Sequence, residues 1–293
     1  LAAEHGARVL EIEPGEFNHG GTRNLLVGEA SGEHVALLTQ DAEPADQDWL
    51  RSLLDGFALA TDVGIVYGPY TPRPDAQFAV ASELRRWFDS LAPDGEPAVE
   101  RMTETERSGV NPLELLGRRG FFTDADACLL RSAWQRVPFR TVSFAEDRLL
   151  ALDMMRAGYA KAYVPAAAVL HSHDLGPLEQ VRRSFDESRA LRELFGWREP
   201  ASPARALSQL RGELGHARRE LEAQQITALS RVARLAAVSQ HHLARLIGAQ
   251  LGSRAGTLPP RLRRYLSSER RAGFEPVDLD ATPPPPSGAE RSA

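Results

Sequence analysis

Apolar and polar positions alternate in short blocks over the first two hundred residues, and the period of each block predicts its element. Residues 8–13 (RVLEIE) read as a strand, followed by the glycine-rich segment PGEFNHGG. Thr22 is the expected cap of a short helix reaching Glu29, which Gly32 closes. Residues 34–39 (HVALLT) are almost continuously apolar, the pattern of a strand covered on both faces of a parallel sheet. Asp46 opens an expected helix with Trp49, Leu50, Leu53, Leu54 and Phe57 along one side. Val63–Tyr67 (VGIVY) is the next strand, and PYTPRPDAQF after it holds too much proline for an element interior.

Residues 91–119 carry no clear period and read as irregular loop. A strand is expected over 125–130 with Ser132 capping a turn of helix, then a helix over 144–156, extended segments over 161–164 and 167–171, and a helix over 178–194. This alternation predicts the α/β class. Beyond Pro203, Leu207, Leu210, Leu214, Ala217 and Leu221 recur every three or four residues, and a second helix is expected over 227–251. The expected division is a catalytic body over 1–200, a basic amphipathic helical arm over 201–272 and a disordered, proline-rich tail over 273–293.

Composition narrows the classes. The 293 residues are 42% hydrophobic and 26% charged, ordinary for a soluble α/β protein, and no apolar run approaches the roughly 20 residues that span a bilayer. One cysteine, Cys128, excludes an internal disulfide framework and favours a reducing, cytoplasmic setting. The chain shows no secretory leader and opens on Leu1 within LAAEHGAR, which reads as the end of a helix and so as a fragment. The net charge of −5 conceals an asymmetry: residues 201–272 hold 13 Arg, no Lys and 4 Glu, a balance of +9. A basic arm on an acidic body is not the profile of a nucleic-acid binder, whereas it suits an anionic lipid leaflet. Leucines opposite arginines on the arm fit peripheral attachment through residues 203–271, or else a helical hairpin packed on the body.

Four segments carry chemistry. In TQDAEP a strand stops and Asp41 and Glu43 follow on alternate positions, which places two hard oxygen ligands where a divalent cation, Mg²⁺ or Mn²⁺, would meet a diphosphate; a solvated turn is the plainer alternative. His171 and His173 flank Ser172 after the apolar AAAVL, so both rings can join a metal shell or grip a phosphate. In FAEDRLL, Glu146 and Asp147 open a helix, as a simple N-terminal cap would, yet a carboxylate there is also a candidate general base. In EFNHGGTRN, Gly20 and Gly21 let backbone approach a ligand, with Arg23 and Asn24 in reach of a diphosphate or ribose.

Taken in order, FNHGGTRN, LLTQDAEP, VYGPYTPRP, FFTDADACLLRSAW and FAEDRLLALDMMRAGYAKAYVPAAAVLHSH resemble glycosyltransferase family 2, and within it the rhamnosyltransferase-like proteins of bacteria. The resemblance runs from about residue 5 to about residue 195. It implies a GT-A fold: a mostly parallel sheet flanked by helices, with nucleotide-sugar in one half and acceptor in the other. It implies a metal-dependent, inverting hexosyltransferase of cell-wall or polysaccharide biosynthesis that moves a sugar, rhamnose by the resemblance, to a glycan or lipid-linked acceptor hydroxyl. The residues it implies are Asp147 as base with Glu146 beside it, Asp41, Glu43, His171 and His173 at the metal, and His19, Arg23, Asn24 and Asp41 at the donor. Gln180 and Arg183 fall on a Q-x-x-R-W diphosphate signature in which Ser184 replaces Trp. Relatives begin with a strand, helix and strand that would precede Leu1, so the 293 residues by themselves are expected to turn over poorly. Two rivals remain open on the residues alone: a metal-dependent phosphohydrolase or nucleotidyltransferase, and a non-catalytic scaffold.

Overall fold

A computed structural model describes residues 3–13, 15–109, 119–142 and 144–268, together with 270, 278 and 281. Helix α1 (His19–Glu29) leads into strand β1 (His34–Leu38) and the two-residue strand β2 (Glu43–Pro44). Helix α2 (Trp49–Asp55), β3 (Val63–Tyr67), β4 (Tyr70–Thr71), α3 (Phe78–Leu91), β5 (Ala98–Glu100) and α4 (Glu104–Gly109) follow. The body is completed by β6 (Asp126–Leu130), α5 (Arg131–Arg136), α6 (Glu146–Arg156), β7 (Ala160–Tyr163) and β8 (Val169–Leu170). Helices α7 (Pro177–Phe195), α8 (Pro203–Glu222), α9 (Ala228–Gly252) and α10 (Pro260–Leu266) form a C-terminal helical region.

The central sheet has five strands in the order β1-β6-β3-β7-β5. Strands β1, β3 and β7 run one way, and β6 and β5 are reversed, so the fold is α/β with the majority of strands codirectional. Strand β3 lies at the centre because every residue of VGIVY is buried, and a strand apolar at each position is stable only when covered on both faces. Around it Ile65, Tyr67, Phe88, Phe122, Leu129, Trp134, Phe139 and Leu150 make the largest core cluster.

Several expectations change. Residues 8–13 form no strand: Val9 is 59% exposed and no described strand pairs with the segment. Strand β1 is an edge strand with only Leu37 buried, not one covered on both faces. Helix α1 starts three residues before Thr22; Asn18 is its cap and its Oδ1 accepts from the Gly21 amide at 2.9 Å. Leu130 rather than Ser132 precedes α5, with no side-chain cap. In α2, Leu50 and Leu54 are exposed while Leu53 alone is fully buried. Helix α3, read in part as proline-rich loop, is 14 residues long and buries Ala79, Val80, Ala81, Phe88 and Leu91. The irregular stretch 91–119 contains β5 and α4. The tail expected beyond residue 273 lies outside the described residues, except that the carbonyls of Asp278 and Ala281 accept from Arg140.

The helical hairpin packs on the body. Phe78 and Ala79 of α3 meet Leu214, Ala217, Leu235 and Val238 of α8 and α9, and Ser82 donates to Glu220 at 2.5 Å. Arg86 pairs with Glu213, and His241 lies 2.9 Å from Glu83. Helices α7 and α9 approach backbone to backbone at two glycines. A Cβ at Gly248 would collide with the Val181 carbonyl, and one at Gly252 with the Phe185 carbonyl. Gly248→Ala is therefore expected to lower stability by about 1–3 kcal/mol, as overpacking of a tight contact does. A thermal melt gives the answer, and an unshifted Tm would show that the helices separate without cost.

Candidate active site

A second small sheet, in the order β2-β8-β4, joins three segments far apart in sequence. Glu43 pairs with Leu170, and Thr71 with Leu170 on the other side. The Ala45 amide donates to Ala168 O at 2.9 Å, and the His171 amide to Thr71 O at 3.0 Å. These bonds fix the loop after β1 against the residues after β8. Arg73 adds a clasp, donating to the Asp41 carbonyl at 2.7 Å from its side chain and to Ser172 Oγ at 3.2 Å from its amide.

Asp41, His171 and His173 are brought together as a result. Asp41 Oδ1 lies 3.6 Å from His171 Nδ1 and Oδ2 lies 3.5 Å from His173 Nε2. One ligand atom from each lies within 4.8 Å of the others. A divalent ion bonded at about 2.1 Å separates neighbouring ligand atoms by about 3 Å, so small side-chain movements suffice to close a shell. One carboxylate with two imidazoles suits Mn²⁺ or a similar transition ion better than Mg²⁺, which prefers oxygen. Burial raises the Asp41 pKa, but the Thr39 hydroxyl and then the two imidazoles outweigh it and hold the carboxyl below its ordinary range. Burial, then His171 and Arg183, hold His173 below its usual value, so both groups present lone pairs at neutral pH. Glu43 is not in this cluster: its carboxylate is exposed and faces Arg73 at 3.9 Å.

The second group sits at the start of α6. Ala145, buried, has φ 60° and ψ 30°, a left-handed conformation that costs a non-glycine residue energy and recurs at functional sites. It sets Glu146 and Asp147 in the first turn. Asp147 Oδ1 accepts from the Arg148 amide at 2.7 Å. Burial, and next the adjacent Glu146 carboxylate, push its pKa up to about 6. Asp124 stands beside this pair; burial and the Asp147 charge push its carboxyl well above the usual range, and Arg23 Nε holds it at 2.5 Å. Gly20 in α1 permits the approach, since a Cβ there would collide with the Arg140 carbonyl and touch Glu146.

Both groups line one cleft of about 1190 Å³, together with His19, Arg23, Gln180 and Arg183. Gln180 is buried and donates to Ser184 Oγ at 3.2 Å. Arg183 is exposed and makes no ion pair among the described residues. Asn24 is turned elsewhere: its Nδ2 donates to Phe139 O at 2.8 Å, and its Oδ1 accepts from Trp134 Nε1 at 2.9 Å and from the Phe139 amide at 3.0 Å. Three of its four hydrogen-bonding positions tie α1 to Trp134 and to the 139 segment, and its side chain is not part of the cleft lining. Three cleft residues were missed by the sequence reading. Asp124 is one; a carboxylate two positions before another at a strand start, as in TDAD, was the available signal. Tyr70 is the second, with its ring edge-on to His171 at 4.7 Å and its hydroxyl bonded to Thr123 Oγ1, which ties the two groups together. Trp87, on the overlooked helix α3, is the third.

No family model matches the chain. The chain is 32% identical over 182 residues to O-antigen chain rhamnosyltransferase RfbN of Salmonella typhimurium, which covers 61% of this chain and 54% of that protein. It is 32% identical over 191 residues to O-antigen chain rhamnosyltransferase WbaN of Salmonella anatum, covering 64% and 56%. The chain thus spans about half the length of the curated relatives it matches. Among solved structures it is similar to the mannosyltransferase PcManGT of Pyrobaculum calidifontis in complex with GDP-Man and Mn²⁺, with TM-score 0.45 and 18% identity over 87% of this chain and 71% of that one.

Proposed function

We propose that this chain, similar in sequence to O-antigen rhamnosyltransferases, is the catalytic part of a GT-A glycosyltransferase. It moves a sugar, rhamnose by that similarity, from a nucleoside-diphosphate donor to a glycan or lipid-linked hydroxyl with inversion. The observation that carries this reading is that Asp147 and the Asp41, His171 and His173 cluster line one cleft. A cleft of about 1190 Å³ exceeds the 300–1000 Å³ typical of pockets for one small ligand, which suits a site that receives two substrates.

Asp147, with its pKa raised to about 6, accepts the proton of the acceptor hydroxyl as that oxygen attacks the anomeric carbon. One in-line displacement inverts configuration. Asp41, His171 and His173 would hold a divalent cation, whose charge would offset that of the departing nucleoside diphosphate. Arg183, without an ion pair among the described residues, adds a guanidinium to the same wall, and Arg23, fixed by Asp124, a second cation. The test supplies Mn²⁺ and a nucleoside-diphosphate-rhamnose with and without a rhamnose-containing oligosaccharide. Acceptor-dependent release of nucleoside diphosphate is expected. Phosphate release from nucleotide without any sugar acceptor would favour the phosphohydrolase, and binding of neither Mn²⁺ nor the nucleotide-sugar would favour the scaffold.

The finer reading of location is peripheral contact with an anionic leaflet on the cytoplasmic side. No helix among the described residues is long and apolar enough to cross a membrane. Leu229, Val232, Leu243 and Ile247 instead form an exposed stripe at helical spacing along α9, on the arm rich in arginine. Leu243→Asp with Ile247→Asp is expected to abolish co-sedimentation with anionic vesicles at low salt. Equal sedimentation of the double variant, or none by the parent chain, removes the membrane contact.

A further inference from the structure

The chain has four tryptophans, and three place the indole N–H on an oxygen. Trp49 reaches Asp126 at 2.8 Å, Trp134 reaches Asn24 at 2.9 Å, and Trp197 reaches Glu199 at 3.5 Å. Trp87 is the exception. It lines the catalytic cleft with 37% of its surface exposed, and its Nε1 has no hydrogen-bond partner among the described residues. An exposed indole on a cleft wall, with an Nε1 donor that no described residue takes up, is a surface open to a ligand with an apolar face and a polar rim.

The ring does not stand alone. Phe121 meets it edge-on, with centroids 5.1 Å apart and planes at 78°. Phe121 is itself braced by Phe88 at 5.9 Å and Tyr67 at 6.0 Å. Its carbonyl accepts from the buried Lys161 Nζ at 2.5 Å, and that ammonium pairs with Glu100 at 2.7 Å. The aromatic wall is therefore fixed before any ligand arrives, which lowers the entropy cost of binding. The Arg148 guanidinium lies 5.9 Å from the Phe121 centroid, and Arg148 directly follows Asp147. The wall thus adjoins the base that must meet the acceptor hydroxyl.

A pyranose ring presents an apolar C–H face bounded by hydroxyls. The C–H face matches an aromatic surface, and the rim matches donors such as Trp87 Nε1 and the Arg148 guanidinium. We infer that Trp87 and Phe121 form an acceptor subsite on which a pyranose ring of the acceptor glycan stacks. This rests on the glycosyl-transfer reading for its substrate, but its binding test does not need turnover.

The probes are the methyl glycosides of rhamnose, mannose and glucose, titrated into the protein without donor or cation while tryptophan emission is followed. At least one is expected to give a saturable change that is lost in Trp87→Phe, in which Trp49, Trp134 and Trp197 still report. In transfer assays, Trp87→Ala is expected to raise the KM for acceptor about 30-fold, the scale of losing an aromatic anchor, with the KM for donor moving far less and Trp87→Phe retaining most of the affinity. No saturable emission change with any of the three overturns the subsite even where transfer is confirmed. A rise in donor KM instead overturns the acceptor assignment and gives the wall to the nucleotide. Glycoside binding by a protein that binds neither Mn²⁺ nor a nucleoside-diphosphate-sugar would keep the subsite and reject the glycosyl-transfer reading.

Discussion

Asp147→Asn is expected to lower sugar-transfer kcat by about 10²–10⁴-fold, the usual worth of a positioned general base, while the protein stays folded. The amide keeps the shape and the acceptor role toward the Arg148 amide at 2.7 Å, so what it removes is the basic lone pair. Stability should not fall. The carboxyl pKa is raised to about 6, first by burial and then by Glu146, so ionising it is harder in the folded protein than in the unfolded chain. Its contribution to stability is present below the ordinary aspartate range and is lost as pH rises towards 6, and the neutral amide escapes that loss. The same shift fixes the activity profile. The base form accumulates above about pH 6, so kcat/KM should climb through that value and then level off. Turnover by Asp147→Asn close to wild type, or a profile without a limb near pH 6, would take the base role from Asp147. Glu146→Gln, tested in parallel, separates the two carboxylates: relieving the neighbouring charge should move the limb to lower pH without abolishing transfer.

The residues that sequence alone identified lie at the ends of elements. Asp41 and His171 each follow a hydrophobic block that ends abruptly, where a polar group faces the open end of a sheet, and Asp147 opens the helix that the apolar LLALDMM continues. The differences arise where tertiary partners decide. Asn24 is expected within reach of a ligand, and residues 134 and 139, more than a hundred positions away, accept from and donate to its side chain. Residues 8–13 hold the apolar residues of a short strand, but a strand also needs a neighbour's hydrogen bonds. Helix α3 begins where the proline-rich segment with prolines at 69, 72 and 74 ends, and AVASELRRWFDSL carries good helix formers. With α3 come Trp87, Ser82 and Glu83, and so the contact that seats the hairpin. The clustering of Asp41 with His171 depends on three two-residue strands too short for any period to reveal. The left-handed Ala145 had no signal at all, because alanine in sequence marks helix and not a turn.

Asp41→Ala is expected to weaken Mn²⁺ binding at least about 100-fold, whereas Glu43→Ala leaves it within about twofold. A change to a supporting residue around a metal ligand already costs about 10–100-fold, and Asp41 is the one carboxylate in its cluster. Two imidazoles alone would remain to hold a hard or borderline cation. The loop itself should survive, because Arg73 grips the backbone carbonyl of Asp41 and the small sheet pairs Glu43 and Pro44 through backbone groups. That separation of side chain from scaffold is what makes the comparison clean. Alternate carboxylates in TQDAEP suggest a shared ion, but the geometry gives Asp41 to the two histidines and leaves Glu43 exposed beside Arg73. Calorimetric titration of Mn²⁺ near pH 7.5 reads the difference directly. Equal losses in the two variants would mean that both carboxylates turn onto the ion and that the loop rearranges on binding. Unchanged affinity in Asp41→Ala would leave the aspartate–histidine cluster without a cation, and the departing diphosphate would then depend on Arg183 and Arg23 for its charge.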